Sequence, residues 1–372
     1  MTIIGSHDSV VPRPLAELPW GPILLVLAIG GLGLAVLYSA AGGSVEPWAG
    51  NHALRFTIFL LMALFLSRLR EKHWQFLAWP AFVATLIGLV GVEALGALRG
   101  GSQRWLSLGP INIQPSEIMK PVLVLALAKF YHVLPAGELR KLIAVWPPLV
   151  LIGLPCALVV IQPDLGTTVA LAVGGFSVMF LAGLPLRYFI GAAIALAALV
   201  PVAFMFLLEE YQQNRVLTFL NPENDPLGTG YHITQSKIAI GSGGLFGKGY
   251  LEGTQSHLAY LPEGHTDFVF ATMAEEFGLL GGVLLILGFA LMIRWGFRVG
   301  QRSASNFGRL AASGLAVTIF FYVAINLMMV MGLAPVVGIP LPLVSYGGSA
   351  MMTVLICLGI LMSLDRENRI RR

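Results

Sequence analysis

"LPEGHTDFVFATMAEEFGLLGGVLLILGFALMIRWG", residues 261–296, decides the fold class. From Phe268 the chain is mostly apolar for about 30 residues, more than the roughly 20 a helix needs to cross hydrocarbon. Three carboxylates, Asp267, Glu275 and Glu276, stand at the edge of that run together with His265. Carrying an ionised carboxylate toward lipid is costly, so a chain that does so has a reason.

Working outward, nine more apolar stretches have spanning length: 20–41, 52–68, 74–97, 116–133, 142–161, 167–184, 187–208, 309–332 and 343–364. With 268–296 they predict an all-α polytopic membrane protein of ten transmembrane helices. The connections 162–164 and 184–186 are very short, so the boundaries there are soft. Composition agrees. The 372 residues are 56% hydrophobic and only 11% charged, against about 25% charged in a soluble domain. Mean hydropathy is +0.80. Soluble classes, including nucleic-acid binding, are excluded. The run from Trp20 is too long for the apolar core of a signal peptide and reads as a retained first span. Pro121, Pro147, Pro148 and Pro155 fall within helical patterns, which membranes tolerate when neighbours satisfy the freed carbonyls. Cys156 and Cys357 lie in apolar stretches without a ligand spacing and read as small buried hydrophobes.

Placement of Lys and Arg sets orientation more than the net charge of +4 does. With the N-terminus inside and alternating spans, 15 of the 23 basic residues fall on the cytoplasmic side. Six fall outside: Arg55, Arg99, Arg104, Arg215, Lys237 and Lys248. Lys120 and Lys129 lie within the fourth span. This asymmetry predicts both ends cytoplasmic. The organisation is one membrane domain over 1–372, with a cytoplasmic segment 1–19, a large outer loop 209–267 between spans seven and eight, and a basic tail 365–372. A loop of that length is functional or disordered. Alternating Ile233, Ile238 and Ile240 argue for order. Two other outer segments, 99–120 and 334–350, are also rich in polar and glycine residues. Neither a solenoid repeat nor an inverted repeat is visible, which weakens a transporter reading.

Several motifs fail. "GSGGLFGKG" (241–249) has Ser242 and Gly249 where a phosphate loop needs Gly and Ser or Thr. "SEIMK" (116–120) is one residue too long for the Ser-x-x-Lys of penicillin-binding enzymes. The seven histidines are scattered, without a His-Glu-x-x-His pair. Three constellations remain. In "QPSEIMK" (114–120), Pro115 and Ser116 suit a helix start. Glu117 then sits in the first turn, and Lys120 follows on nearly the same face. The pair is either a local bridge that lets Lys120 be buried or the charged wall of an outward cavity. Asp267 or Thr266 is placed to cap the helix beginning at Phe268; the alternative for Asp267 is chemistry. Glu275 and Glu276 lie about 12 Å further along and read as structural. Arg104 and Trp105, after two glycines, are either an interfacial anchor or the lining of a groove.

Five segments together resemble the SEDS family (shape, elongation, division and sporulation). They are "RGGSQRWLSLGPINIQPSEIMK" (99–120), "QPDLGTTV" (162–169), "FLNPENDPLGTGYHITQSKIAIGSGGLFGKG" (219–249), "TQSHLAYLPEGHTDFVFA" (254–271) and "PLVSYGGSAMM" (342–352). The resemblance runs in order over nearly the whole chain. "GSQRW" and "NRVLTFLNPENDPLGTGYHITQSKIA" resemble the elongation branch more than the division branch. Gly264 stands where many relatives have Ala.

The resemblance implies a peptidoglycan glycosyltransferase of the bacterial plasma membrane. It would polymerise lipid II, a disaccharide-pentapeptide on undecaprenyl pyrophosphate, onto a nascent glycan strand at the periplasmic face. It also implies Asp267 as the catalytic aspartate, Glu117 and Lys120 in the polar cavity, and Arg104, Trp105 and Arg215 along the outer groove. Implied partners are a class B penicillin-binding transpeptidase, expected on spans eight and nine, and other membrane proteins of the elongation machinery. The chemistry is consistent with those residues. A sugar hydroxyl needs a base as it attacks, and a carboxylate can serve. Attack opposite the pyrophosphate inverts the anomeric centre in one displacement and needs no enzyme nucleophile. The leaving group needs charge neutralisation, from Lys120, Arg104 or a loosely bound divalent cation, Mg2+ or Mn2+. No metal or cofactor is expected as a built-in component. A lipid II flippase and a non-catalytic scaffold are the competing classes.

Overall fold

The computed structural model describes residues 18–370, apart from 96, 100, 101, 109, 110, 207–209, 222–227, 259 and 262. Arg13 and the rest of 1–17, and Arg371 and Arg372, lie outside the described residues. The chain is mostly helical. In order it runs α1 (Trp20–Ala40), α2 (Ala49–Leu66), α3 (Glu71–Leu95), β1 (Ala97–Arg99), β2 (Ser102–Leu108), β3 (Ile111–Ile113), α4 (Pro115–Val133), α5 (Trp146–Ile161) and α6 (Leu165–Leu181). It continues through α7 (Leu186–Phe206), α8 (Glu210–Leu220), α9 (Thr229–Ser242), α10 (Thr254–His257), α11 (Val269–Arg302), α12 (Asn306–Val330) and α13 (Gly348–Ile370).

Among the described residues seven helices are long and apolar enough to cross a membrane: α1, α2, α3, α5 together with the turn from Leu142 that leads into it, α11, α12 and α13. Helices α4, α6 and α7 occupy the other three ranges expected to span. The chain is a multi-pass membrane protein. Large apolar side chains such as Leu54, Phe65, Phe76, Ile87, Ile194 and Leu284 are exposed on the outer helices, as lipid contact requires. The centre is built by α4, α12 and α13, buried on nearly every side. Small residues allow that density. A Cβ at Gly314 of α12 would lie 2.7 Å from Val124 of α4 and Val178 of α6.

The structure departs from the expectation in two places. The all-α class needs a small amendment, because 97–113 forms a three-stranded antiparallel sheet in the order β1-β2-β3. The pairings are local, with Arg99 opposite Ser102 and Leu108 opposite Ile111, and the sequence signal was the dipeptides Gly100-Gly101 and Gly109-Pro110 between short strand-like runs. The segment 209–267, for which the sequence argues order, carries α8, α9 and α10 among its described residues. The apolar run from Phe268 is not one continuous rod, because α11 breaks at Gly278, where φ is 65° and ψ is −164°.

The break explains the glycine-rich segment 241–249. A broken helix at membrane depth needs new partners for its freed backbone groups. Lys248 N and Gly249 N donate to the carbonyls of Glu275 (2.9 Å) and Glu276 (3.2 Å). Leu279 N and Leu280 N donate to the carbonyls of Gly244 (2.9 Å) and Leu245 (3.2 Å). A Cβ at Gly247 would sit 2.0 Å from the Glu276 carbonyl oxygen, so only glycine lets the two backbones meet.

Candidate active site

The site grows from four elements. Pro115 opens α4 at its first position, where its missing N–H costs nothing. This places Glu117 in the first turn and Lys120 three residues on. Lys120 Nζ lies 2.7 Å from Glu117 Oε1, with side chains 1% and 8% exposed. Tyr322 of α12 closes a triangle: its hydroxyl accepts from Lys120 Nζ at 2.7 Å and donates to Glu117 Oε2. Pro121 cannot donate to the Glu117 carbonyl four residues back. The Thr353 hydroxyl of α13 approaches that oxygen at 3.2 Å and Glu117 Oε2 at 2.9 Å. Buried charge is tolerated here because each group is paired and hydrogen-bonded.

The second element is the turn before α11. Phe268 is the N-cap of α11 and no side chain caps the helix, so the capping roles foreseen for Thr266 and Asp267 are corrected. The Thr266 hydroxyl turns to Glu263 instead. The turn is pinned from outside. His265 O accepts from Tyr346 N at 2.9 Å, and Asp267 O accepts from Asn326 Nδ2 at 2.9 Å. The Asp267 carboxylate, spared from capping, lines a cavity. Burial pushes its pKa up to about 6, Glu263 adds to the rise, and Arg215 opposes it.

The third and fourth elements are β2 and α8, which bring Arg104 and Trp105, and Arg215. Arg104 donates to the carbonyls of Gln162 (3.1 Å) and Pro163 (2.5 Å), and its Nη1 lies 3.8 Å from Asp164 Oδ2. Asp164 in turn caps α6, accepting from Thr167 N at 3.0 Å.

The cavity has a volume of about 370 Å³. Asp267, Glu117, Arg104, Trp105 and Arg215, five of the six residues singled out in the sequence, line it. Lys120 does not; it stands behind Glu117. The sequence reading missed Gln114, Asp164, Tyr322 and Tyr346, which also line it. Asp164 had a signal, a carboxylate at the short turn "QPDLG" between two apolar runs. Tyr322 had none, being one aromatic among many on an apolar helix. Glu275 and Glu276 point elsewhere. Glu275 accepts from Lys248 Nζ at 2.7 Å and Gln255 N at 3.0 Å. Glu276 meets Ser39, and His257 Nε2 at 3.5 Å.

A family model described as cell cycle protein, covering FtsW, RodA and SpoVE, matches residues 20–370. The chain is 45% identical over 352 residues to the peptidoglycan glycosyltransferase MrdB of Escherichia coli (strain K12), covering 93% of each. It is 34% identical over 365 residues to the probable peptidoglycan glycosyltransferase FtsW of Trichlorobacter lovleyi, covering 95% of this chain and 94% of that one. The fold is similar to the crystal structure of the rod shape determining protein RodA of Thermus thermophilus, with TM-score 0.73, 32% identity, and 96% and 99% of the chains covered. A chain from a structure of a peptidoglycan synthase complex that coordinates polymerization and crosslinking gives TM-score 0.81 at 34% identity, covering 94% and 98%. A match of the family model to nearly the full length, together with these relatives, shows that the chain belongs to the SEDS family of FtsW, RodA and SpoVE.

Proposed function

We propose that this protein is a peptidoglycan glycosyltransferase that polymerises lipid II by inverting displacement, with Asp267 as general base. The observation that carries the reading is the gathering of Asp267, Glu117, Trp105, Arg104 and Arg215 around one cavity of about 370 Å³. The names of the relatives support the activity. In this reading Asp267 takes the proton from the acceptor 4-hydroxyl as that oxygen attacks the anomeric carbon of the growing glycan. The bond to undecaprenyl pyrophosphate breaks on the opposite face. A carboxylate with a pKa near 6 is ionised at neutral pH and still basic enough to assist, a contribution of about 10²–10⁴-fold.

Charge neutralisation of the leaving pyrophosphate falls to Arg104 and Arg215. Both line the main cavity and an adjoining apolar one of about 160 Å³. Lys120 is committed to Glu117 at 2.7 Å, and its role is to hold that carboxylate at the cavity wall. Among the described residues no three His, Cys, Asp or Glu side chains gather to hold a metal ion. Glu117 and Asp164 are already engaged. We therefore assign no step to a loosely bound Mg2+ or Mn2+, which the sequence left as an alternative to Lys120 and Arg104.

In the same reading the chain crosses the plasma membrane ten times, with both ends cytoplasmic and the cavity facing the periplasm. Helices α4, α6 and α7 join the seven long spans, and the basic residues sort as described above. A groove of about 850 Å³ between α11 and α12, lined by Ile286, Phe289, Ile293, Phe297, Phe320 and Met328 among others, fits the membrane span of a partner transpeptidase. One similar chain comes from a complex that couples polymerization to crosslinking, which supports that assignment.

The test is purified protein in vesicles with lipid II as the sole substrate. Glycan chains from the native protein and none from Asp267→Asn support the proposal. Movement of lipid II between leaflets without glycan would make the protein a flippase.

A further inference from the structure

We infer that Asn326 is a positioning residue: it sets the gap between the Asp267 turn and the Val337–Pro340 segment, and through it the placement of the carboxylate. The inference rests on the polymerase reading above. Asn326 lies on α12 and is 0% exposed. Its Nδ2 donates to Asp267 O at 2.9 Å and to Ile339 O at 2.8 Å. Both neighbours are carbonyls, so the nitrogen and not the oxygen must face them. Neither carbonyl belongs to a helix. Asp267 precedes α11, and Ile339 lies in the irregular chain between α12 and α13. One amide therefore ties two irregular segments to a rigid helix.

The tie sets the geometry of the cavity. Val337, Gly338, Ile339 and Pro340 form part of its lining. Gly338 has a φ of +70°, and a Cβ built on it would lie 3.6 Å from Asp267 Oδ2. The 338 backbone is thus the wall facing the carboxylate, and Asn326 holds both sides of that gap. One turn back on the same face of α12, Tyr322 holds Glu117 and Lys120. A single helix stripe therefore positions both the base and the charge pair. The amide Oδ1 is buried without a hydrogen-bond partner among the described residues. A buried polar group left half-satisfied inside an apolar helix is expensive for stability alone and marks a functional constraint.

The experiment measures lipid II polymerisation by reconstituted protein, as kcat, KM and the pH dependence of kcat, with thermal unfolding alongside. Asn326→Leu keeps the volume and removes both donors. Asn326→Gln keeps the amide and lengthens it by one methylene. Ser236→Ala is the comparator. It deletes a buried hydroxyl that donates to Val330 O of α12 at 2.7 Å, away from the cavity. Misplacing a base by a fraction of an ångström to one ångström costs about 10- to 100-fold in rate. Asn326→Leu is expected to lose that much in kcat with KM little changed, and its acid limb moves to lower pH as the Asp267 turn opens to water. Ser236→Ala lowers the thermal midpoint and leaves kcat and the acid limb in place. If Asn326→Leu does not fold, Asn326→Gln decides, and it too is expected to lower kcat. Native kcat with an unmoved acid limb in whichever variant folds overturns the inference. So does a loss of activity that only follows the loss of folded protein, as in Ser236→Ala. An inactive native protein defeats the polymerase reading instead.

Discussion

Asp267 and the pair Glu275–Glu276 stand eight and nine residues apart on one stretch of chain, at the same edge of the apolar run, and the fold treats them differently. Glu275 is enclosed. Its oxygens accept from Lys248 Nζ (2.7 Å), Thr254 Oγ1 (3.1 Å) and Gln255 N (3.0 Å). These bonds fasten the segment 248–255 to the half-helix before the Gly278 break. Glu276 fastens α1 and α10 through Ser39 and His257. In Asp267 the carbonyl oxygen is fastened, by Asn326, while the carboxylate faces the cavity. Burial alone does not separate a structural carboxylate from a chemical one. What separates them is whether the protein has spent the lone pairs and whether open volume reaches those it has not.

The largest expected effect is that of Asp267→Asn. It preserves shape and removes the base, so polymerisation falls by about 10²–10⁴-fold in a lipid II assay. The same substitution stabilises the fold at pH 8. A carboxyl group whose folded pKa is raised loses stability as pH rises through that value, and the amide does not. The gain is about 1–2 kcal/mol once the contact with the open cavity is allowed for, read as a higher thermal midpoint. An active Asp267→Asn would erase the distinction between the two regions.

Next comes Lys120→Met, which strands the Glu117 charge among Tyr322 and Thr353. Removing one partner of a buried pair costs about 3–5 kcal/mol. The double variant Glu117→Gln with Lys120→Met recovers most of that stability in thermal unfolding, but not the activity, if the Glu117 charge matters at the cavity wall. Glu275→Gln is milder, about 1–3 kcal/mol, and leaves the rate per folded molecule unchanged. A rate loss as large as that of Asp267→Asn would mean the two carboxylate regions do not divide into structure and chemistry. The smallest effect belongs to Lys141→Ala. The pair with Glu138 is 2.7 Å long but exposed, and its removal costs under about 1 kcal/mol.

Much of this was legible beforehand because lipid imposes a length rule. The expected stretch 309–332 became Asn306–Val330, and 20–41 became Trp20–Ala40. Glu117 beside Lys120 followed from helical spacing behind Pro115. Other features depended on contacts that spacing does not encode. The break at Gly278 had one hint: an apolar run of about 30 residues from Phe268 would make a helix of about 45 Å, longer than the roughly 30 Å of hydrocarbon. Its partner, the glycine-rich 241–249, lacks the residues of a phosphate loop, and nothing in its spacing shows its seat against α11. Thr266 and Asp267 were reasonable caps by residue type, yet the cap position fell one residue later, on Phe268, which freed the carboxylate. Asn326 carries no signal in "AINLMM", because only the fold brings the carbonyls of residues 267 and 339 to its amide.

The claim that Asp267 acts as the base is tested by the pH dependence of kcat/KM for lipid II polymerisation, measured with substrate well below KM, by purified protein between pH 4.5 and 8. With a carboxyl pKa pushed up to about 6, the rate is level above neutrality and falls about tenfold for each pH unit below 6. A rate that stays level down to pH 4.5, with the protein still folded, would contradict it.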